Sequence, residues 1–199
     1  MLLAILFPII GYLAGSLASA IIVCKAMGLP DPRSGGSGNP GATNVLRLGG
    51  KKAAVLTLIG DVLKGVLPVL AAHAVAIPEP ALALTALGAF LGHLYPVFFR
   101  FQGGKGVATA FGAIIALSWP VGLGFGLLWL GLAATTRYSS VASLSAGVAA
   151  PVLALVLVEN VVYAVVLVVV AAFIIWRHRE NIARLRAGTE GRIGKKTTG

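Results

Sequence analysis

The chain has 199 residues, of which 58% are hydrophobic and only 11% are charged. Because a globular domain is about one quarter charged, this composition excludes a water-soluble fold. At about 20 residues per crossing, the length allows at most about nine transmembrane helices and no separate soluble domain. The formal net charge of +10 is typical of membrane proteins with basic cytoplasmic loops and anionic partners. The single cysteine, Cys24, is expected to be a small core residue, since one thiol forms neither an intrachain disulfide nor a multi-thiolate metal site.

Uncharged stretches predict an all-α integral membrane protein, a bundle of seven transmembrane helices. The first stretch lacks a basic flank and a cleavage site, so it is interpreted as a retained helix and not as a signal peptide. The second span requires Asp61 and Lys64 to lie within the membrane, where their i,i+3 spacing lets them pair on one helix face. The predicted spans are 3–23, 53–77, 81–99, 106–118, 121–135, 139–158 and 160–176. These spans and a cytoplasmic tail at 177–199 are predicted to form one membrane-embedded domain over residues 1–199.

The stretch 106–136 could form one overlong helix or two short ones joined at Trp119-Pro120. The basic residues decide, because cytoplasmic loops are enriched in Lys and Arg. Two helices place every Lys and Arg except Lys64 on one side and leave the outer turns with Glu79 and Glu159. The sequence therefore predicts the N-terminus outside and the C-terminus in the cytoplasm. Since each short helix reaches only about 20 Å, either the bilayer thins locally or the loop before span four dips into the bundle.

The longest polar segment, residues 30–52, is rich in Gly, Ser, Asn and Pro, which predicts irregular backbone with many available N–H groups. Such a segment is either a flexible linker or a loop that wraps an anion. A linker needs no specific donors, so the donors present here favour anion binding. They are Ser37, Asn39, Thr43, Asn44 and Arg47. The spacing of a P-loop is absent from the sequence, so ATP hydrolysis is not indicated.

Two more polar clusters follow. Glycines 103, 104 and 106 surround Lys105 just before span four, where a helix N-terminus and a full charge would favour phosphate; a Gly-rich turn with a cytoplasmic lysine is the alternative. After span seven, helical spacing groups His178 with Asn181, and Gly188 could end the helix. A basic helix lying on anionic lipid would explain the arginines there but not these two side chains. A weaker patch includes Ser143, although serines near a helix start often only satisfy its first N–H groups.

In the predicted topology these patches all lie at the cytoplasmic face, which suggests a site for a phosphorylated cytosolic substrate. A transporter of phosphorylated metabolites would also use basic loops and an intramembrane ion pair. Strong internal repeats would favour a transporter, and the sequence shows none. A noncatalytic scaffold would leave the polar clusters without a purpose.

The three main clusters resemble, in order and at similar spacing, the cytoplasmic motifs of the acyl-phosphate-dependent glycerol-3-phosphate acyltransferases of bacterial membranes, commonly called PlsY. The matching stretches are 37–47, 103–109 and 178–190. The resemblance implies transfer of a fatty acyl group from acyl phosphate to the 1-hydroxyl of sn-glycerol 3-phosphate, giving 1-acylglycerol 3-phosphate and phosphate, the first step of bacterial phospholipid synthesis. It implies a multi-pass protein of the inner membrane, with a cytoplasmic active site and membrane lipid as a partner. No nucleic acid, metal or cofactor is expected.

The resemblance assigns Ser37 and Arg47 to the first essential set, Asn181 and Glu190 to the third, and the Gly103–Gly106 loop to glycerol-phosphate binding. The candidate catalytic residues are Ser37, Arg47, Lys105, Ser143, His178 and Asn181. The candidate substrate-binding residues are Gly38, Asn39, Thr43, Asn44, Asp61, Lys64, Gly103, Gly104, Gly106 and Glu190. A buried structural pair accounts for the two intramembrane charges at least as well as substrate contact does.

Acyl phosphate is an activated anhydride, so positioning and charge neutralisation could suffice without a covalent intermediate. We predict direct attack by the glycerol hydroxyl, with Arg47, Lys105 and backbone N–H groups holding the two phosphates. His178 could bind phosphate as a cation or accept the proton, or the departing phosphate could accept it. The H-x4-D pattern of another acyltransferase class is absent, because the residues five positions after the three histidines are Pro78, Phe98 and Ala183.

Overall fold

The computed structural model describes residues 1–194; Lys195 and Lys196 of the predicted basic tail lie outside this range. Within it, the regular elements are helices and there is no strand, as the composition predicts. A short 3-10 helix, Val97–Phe99, follows the fourth α-helix. The α-helices are α1 (Leu2–Gly15), α2 (Ser19–Ala26), α3 (Ala42–Ala74), α4 (Glu79–Leu94), α5 (Val107–Leu117), α6 (Trp119–Thr136), α7 (Ser139–Val158), α8 (Val161–Arg177) and α9 (Arg179–Arg186).

Several of these helices have the length and composition of membrane spans. Within residues 1–194, five segments qualify: Leu2–Ala26, Ala42–Ala74, Glu79–Phe99, Trp119–Thr136 and Ser139–Val158. Helices α8 and α9, bent by 56°, make a sixth if they are counted together, and α5 is a shorter apolar helix of 11 residues. Large apolar side chains cover the surface, with Leu127 60% and Val156 71% exposed. Exposed apolar side chains of this kind are suited to contact with lipid.

Helix α3 begins earlier than the predicted second span. The expectation of irregular backbone throughout residues 30–52 is wrong, because residues 42–49 are helical. Packing accounts for the difference, since Val45 is fully buried in a cluster with Cys24 and Ala53. At Gly50 the helix is kinked, with φ of +75°, a conformation that glycine adopts readily.

The chain forms two compact units, Met1–Trp119 and Pro120 onward. In the first, α1 packs on α4 and α3 packs on α5. The α1–α4 contact is close: a Cβ at Gly15 would collide with the backbone of Ala89, and one at Gly92 with the backbone of Tyr12. Small residues at such contacts are typical of helix association in membranes. In the second unit, α7 packs on α8 and α8 contacts α9.

Candidate active site

The buried side chain of Asn44, in the first turn of α3, organises the preceding loop. Its Oδ1 accepts a hydrogen bond from Ser37 N–H at 2.8 Å. Its Nδ2 donates to the carbonyl oxygens of Pro32 at 2.8 Å and Gly35 at 3.1 Å. Asn44 is 1% exposed, and a buried amide depends on such partners. This geometry favours a loop-shaping role for Asn44 over the predicted contact with substrate.

The loop passes through backbone conformations that glycine favours. Gly36 has φ of +61° and Gly38 has φ of +67°. A Cβ at Gly36 would also collide with Oδ1 of Asn44. Ser37, between the two glycines, is exposed, and so is Arg47, one helical turn beyond Asn44. Asn39 and Thr43 are partly buried. Residues of the first cluster thus lie on a tightly shaped turn and on the helix that follows it.

An ion pair at the start of this loop was not singled out from the sequence. Arg33 donates from Nη2 to Asp31 Oδ2 at 2.7 Å, and the hydrogen bonds from Arg33 lower the pKa of the Asp31 carboxyl. A further nitrogen, Nη1, donates to Gln102 Oε1 at 3.4 Å. This contact connects the first polar loop to the loop that contains Lys105.

The Gly103–Gly106 loop is held against the end of α4. Gly104 N–H donates to the backbone oxygen of His93 at 3.2 Å. A Cβ at Gly103 would collide with the backbone oxygens of His93 and Leu94. At Gly104, a Cβ would collide with His93 Nε2 and lie 3.1 Å from the backbone oxygen of Pro40. The structure therefore brings the first two sequence clusters together within the first unit.

Lys105 is partly buried and lies two residues before the start of α5 at Val107. Gly106, with φ of +80°, forms the N-cap of that helix. The N–H groups of the first turn and the positive end of the helix dipole favour an anion near this point. The predicted combination of a glycine loop, a helix start and a lysine is present.

Asp61 and Lys64 form the expected ion pair on α3. Their side chains are buried, with Nζ 2.8 Å from Oδ1. Lys64 also donates at 2.8 Å to the backbone oxygen of Leu17, which lies in the break between α1 and α2 and also accepts the Ser19 N–H at 3.0 Å. Nδ1 of His93 lies 3.5 Å from Asp61 Oδ1 and 3.1 Å from Thr109 Oγ1. These contacts favour a structural role for the pair over substrate contact.

In the second unit, the Glu190 carboxylate joins three side chains. Oε1 accepts from Ser140 Oγ at 2.8 Å and from Asn181 Nδ2 at 2.6 Å, and Oε2 accepts from Arg184 Nε at 2.8 Å. Burial raises the pKa of Glu190, but these hydrogen bonds outweigh it and hold the pKa below its ordinary value. A carboxylate so occupied orients Asn181 better than it could bind a phosphate.

Two other predicted residues of the second unit have defined partners. Ser143 Oγ donates to the backbone oxygen of Ser139 at 2.6 Å and accepts from Trp129 Nε1 at 3.0 Å. His178 is buried, and its Nδ1 lies 2.8 Å from the backbone oxygen of Ile174. If Nδ1 carries the proton of the neutral ring, Nε2 carries the acceptor lone pair. The Ser143 hydroxyl and the His178 imidazole are therefore both held in fixed orientations.

The chain after α9 returns to the α6–α7 turn. Gly188, with φ of +70°, follows the end of α9 and confirms the expected helix stop. Ile193 N–H then donates to the backbone oxygen of Arg137 at 2.7 Å. Arg192 donates to the hydroxyl of Tyr138 at 3.2 Å, and its guanidinium lies 5.3 Å from the ring centroid. This return places Glu190 beside the start of α7.

Comparison with known proteins decides the family. Residues 5–188 match the family model described as glycerol-3-phosphate acyltransferase. The chain belongs to the glycerol-3-phosphate acyltransferase family. Glycerol-3-phosphate acyltransferase from Methylococcus capsulatus is 51% identical over 185 residues, covering 93% of each chain. The Halorhodospira halophila enzyme of the same name is 55% identical over 194 residues, covering 97% of this chain and 98% of its own.

Solved structures of this acyltransferase family share the fold. The crystal structure of PlsY (YgiH), an integral membrane glycerol 3-phosphate acyltransferase, in its glycerol 3-phosphate form has a TM-score of 0.90 and 45% identity, with 96% of both chains covered. The lysophosphatidic acid form has a TM-score of 0.86 and 44% identity, covering 96% of this chain and 95% of the other. The present acyltransferase is thus a multi-span integral membrane protein, as the composition predicts.

Among the predicted site residues of this acyltransferase, the structure assembles two groups. In the first unit, Ser37 lies in the loop that meets the glycine loop around Lys105, and Asn44 at the start of α3 holds that loop. In the second, Asn181 and Glu190 share a hydrogen bond. His93 was missed as a site residue, and Ser140, which belongs to the weaker patch with Ser143, was not among the candidate site residues. An ionisable side chain within a predicted membrane span is the sequence signal that could have identified His93.

Proposed function

We propose that this protein transfers a fatty acyl group from acyl phosphate to the 1-hydroxyl of sn-glycerol 3-phosphate, giving lysophosphatidate and phosphate, the first step of bacterial phospholipid synthesis. The observation that carries the proposal is the glycine loop around Lys105, held against the Ser37 loop in a chain of this family. The forms of the solved relatives, with glycerol 3-phosphate and with lysophosphatidic acid, support the proposed acceptor and product.

The acceptor phosphate binds at the Gly103–Gly106 loop, through the first-turn N–H groups of α5 and the cations Lys105 and Arg47, while the Gly104 N–H stays bonded to the His93 backbone oxygen. Oriented N–H groups at a helix start suit a phosphate, and each cation adds a charge-assisted hydrogen bond. Gly38, Asn39 and Thr43 border this site.

The transfer is a direct displacement. The 1-hydroxyl oxygen attacks the acyl carbonyl carbon, a new ester bond forms, and the bond from that carbon to the phosphate oxygen breaks. Phosphate leaves, and the hydroxyl proton passes to His178 Nε2 or to the phosphate itself. Positioning and charge neutralisation supply the rate enhancement. The hydroxyl and carbonyl groups are oriented by Ser37, Ser143 and Asn181.

The protein crosses the bacterial inner membrane seven times, with the N-terminus outside and the C-terminus and the active site in the cytoplasm. This proposal rests on the distribution of Lys and Arg, which favours the cytoplasmic side for every loop that carries them. Helix α5 supplies the short fourth crossing. Reporter fusions after residue 199 and in the 158–160 turn test this topology. A reporter fused after residue 199 should lie in the cytoplasm, and a reporter in the 158–160 turn should lie outside the membrane.

The proposed reaction is tested with the purified protein, palmitoyl phosphate and glycerol 3-phosphate. Phosphate release in a 1:1 ratio with lysophosphatidate is expected, and palmitoyl-CoA as the control donor should give no product. Turnover with palmitoyl-CoA alone would refute the proposed donor. Trapping an acyl group on Ser37 or Ser143, detected by peptide mass spectrometry, would refute direct transfer.

A further inference from the structure

We infer that His93 is a positioning residue that fixes the Gly103–Gly106 loop and thereby places Lys105, an inference that rests on the proposed function of that loop. His93 is the second-to-last residue of α4 and is 6% exposed. Its imidazole lies under the loop at one edge and against α5 at the other.

The contacts of His93 reach both ends of the segment that contains Lys105. On one edge of the ring, Nδ1 is 3.1 Å from Thr109 Oγ1, in the first turn of α5. On the other edge, Nε2 occupies the space that a Cβ at Gly104 would need. The His93 backbone oxygen accepts the Gly104 N–H at 3.2 Å. The segment from Gly104 to Thr109 is therefore held at its start and near its end by one residue.

Other buried groups fix the orientation of the ring. Asp61 Oδ1 lies 3.5 Å from Nδ1 of His93, and Lys64 holds the carboxylate at 2.8 Å. Lys64 is fixed in turn by the backbone oxygen of Leu17. The ion pair of Asp61 and Lys64 therefore orients the His93 imidazole, which in turn supports the Gly103–Gly106 loop.

The consequence for the reaction is preorganisation of Lys105. A glycine-rich loop is conformationally permissive, so without support its N–H groups and the lysine ammonium would sample many positions. A displacement of about 1 Å can cost up to about 100-fold in rate. Loss of the support should therefore reduce binding of glycerol 3-phosphate and turnover more than it reduces the stability of the fold.

The variants His93→Asn and His93→Gln separate the two edges of the ring. Asparagine places a polar group near the Nδ1 position and keeps the Thr109 contact, whereas glutamine reaches the Nε2 position beside Gly104. We expect KM for glycerol 3-phosphate to rise by about 10- to 100-fold in His93→Ala and by less in the two amide variants.

Thr85→Val is the matched control, because it removes a buried hydroxyl two turns earlier on α4. Among the hydrogen bonds described, Oγ1 of Thr85 bonds only to its own helix, through the backbone oxygen of Ala81.

A double variant tests direct contact. Gly104→Ala introduces a Cβ that collides with His93 Nε2, and removing the imidazole relieves that collision. We expect Gly104→Ala with His93→Ala to lose less activity than the sum of the two single losses, in the sense of a thermodynamic cycle. Additive losses would overturn the proposed contact.

Hydrogen–deuterium exchange gives a readout that does not require turnover. In His93→Ala, and in His93→Asn if the alanine variant does not fold, amides 104–109 should exchange faster than in the wild type, while amides of α8 are unchanged. Unchanged exchange at 104–109 together with an unchanged KM would refute the positioning role. If the wild type gives no lysophosphatidate, the proposed function fails, whereas the exchange experiment still decides whether His93 supports the loop.

Discussion

The two polar regions of this acyltransferase are built in different ways. In the first unit, backbone groups form the loop around Lys105, and glycines at contact points let the chain approach its neighbours closely. In the second, one carboxylate gathers the side chains of Ser140, Asn181 and Arg184. The first region should therefore respond to changes of shape, and the second to changes of charge.

The largest effect is expected from added volume in the first region. In Gly103→Ala, the new Cβ would collide with the backbone oxygens of His93 and Leu94, so the loop would have to shift away from the end of α4. We expect kcat/KM for glycerol 3-phosphate to fall by about 100-fold or more, measured as phosphate release with saturating palmitoyl phosphate.

Gly131→Ala is the control for that substitution. A Cβ at Gly131, on α6, meets no atom within 4 Å, so activity should be retained. The helix should be stabilised by up to about 1 kcal/mol, since alanine has the higher helix propensity. Equal activity in both variants would contradict the view that backbone shape governs the first region.

A smaller but clear loss is expected from Asn44→Ala. This change removes the buried amide that accepts the Ser37 N–H and donates to two loop carbonyls. Leaving these groups without their partner should cost about 2 kcal/mol of local stability. Limited proteolysis within residues 32–38 should become faster. The control is Ser34→Ala, which alters an exposed hydroxyl of the same loop and should be cleaved at the wild-type rate.

Charge in the second region is tested with Glu190→Gln. In either orientation the amide would place an N–H group against a donor, Arg184 Nε or Asn181 Nδ2, so activity and thermal stability should both fall. In the wild type the folded-state pKa of Glu190 is depressed. Its stabilising contribution is therefore present above the pKa of the unfolded chain and is lost as pH falls through the lower folded-state pKa.

The pH dependence distinguishes charge from shape. As pH falls through the folded-state pKa of Glu190, the melting temperature of the wild type in detergent should approach that of Glu190→Gln. The two melting temperatures should differ most near neutral pH. A constant difference at all pH values would contradict the role of the ionised carboxylate.

The sequence predicted features that depend on local pattern. The all-helical class follows from long apolar stretches, and the i,i+3 spacing of Asp61 and Lys64 made their pairing predictable. A glycine loop before an apolar helix indicated the anion site around Lys105. The break between α5 and α6 at Ser118 lies beside Trp119-Pro120, where proline disfavours continuation of a helix. The number of crossings and their orientation stay predictions.

Features that depend on packing were not predictable from the sequence. Residues 42–49 are helical because Val45 finds a buried position against Cys24, a contact that composition does not reveal. Asn44 was expected to bind substrate. An amide in a polar segment could bind either a ligand or the loop itself, and only the tertiary structure distinguishes these two roles. His93 was overlooked because its partners Asp61, Gly104 and Thr109 come from three other segments.

The smallest effect is expected for Arg192→Ala, which tests whether the second region depends on its central carboxylate or on the whole returning tail. Arg192 contacts the hydroxyl and ring of Tyr138 but is fully exposed. Exposed contacts of this kind contribute little because solvent screens them. Since Glu190 retains its three partners in this variant, turnover and melting temperature should match the wild type. A loss as large as that of Glu190→Gln would show that the tail, and not the carboxylate, holds Asn181 in place.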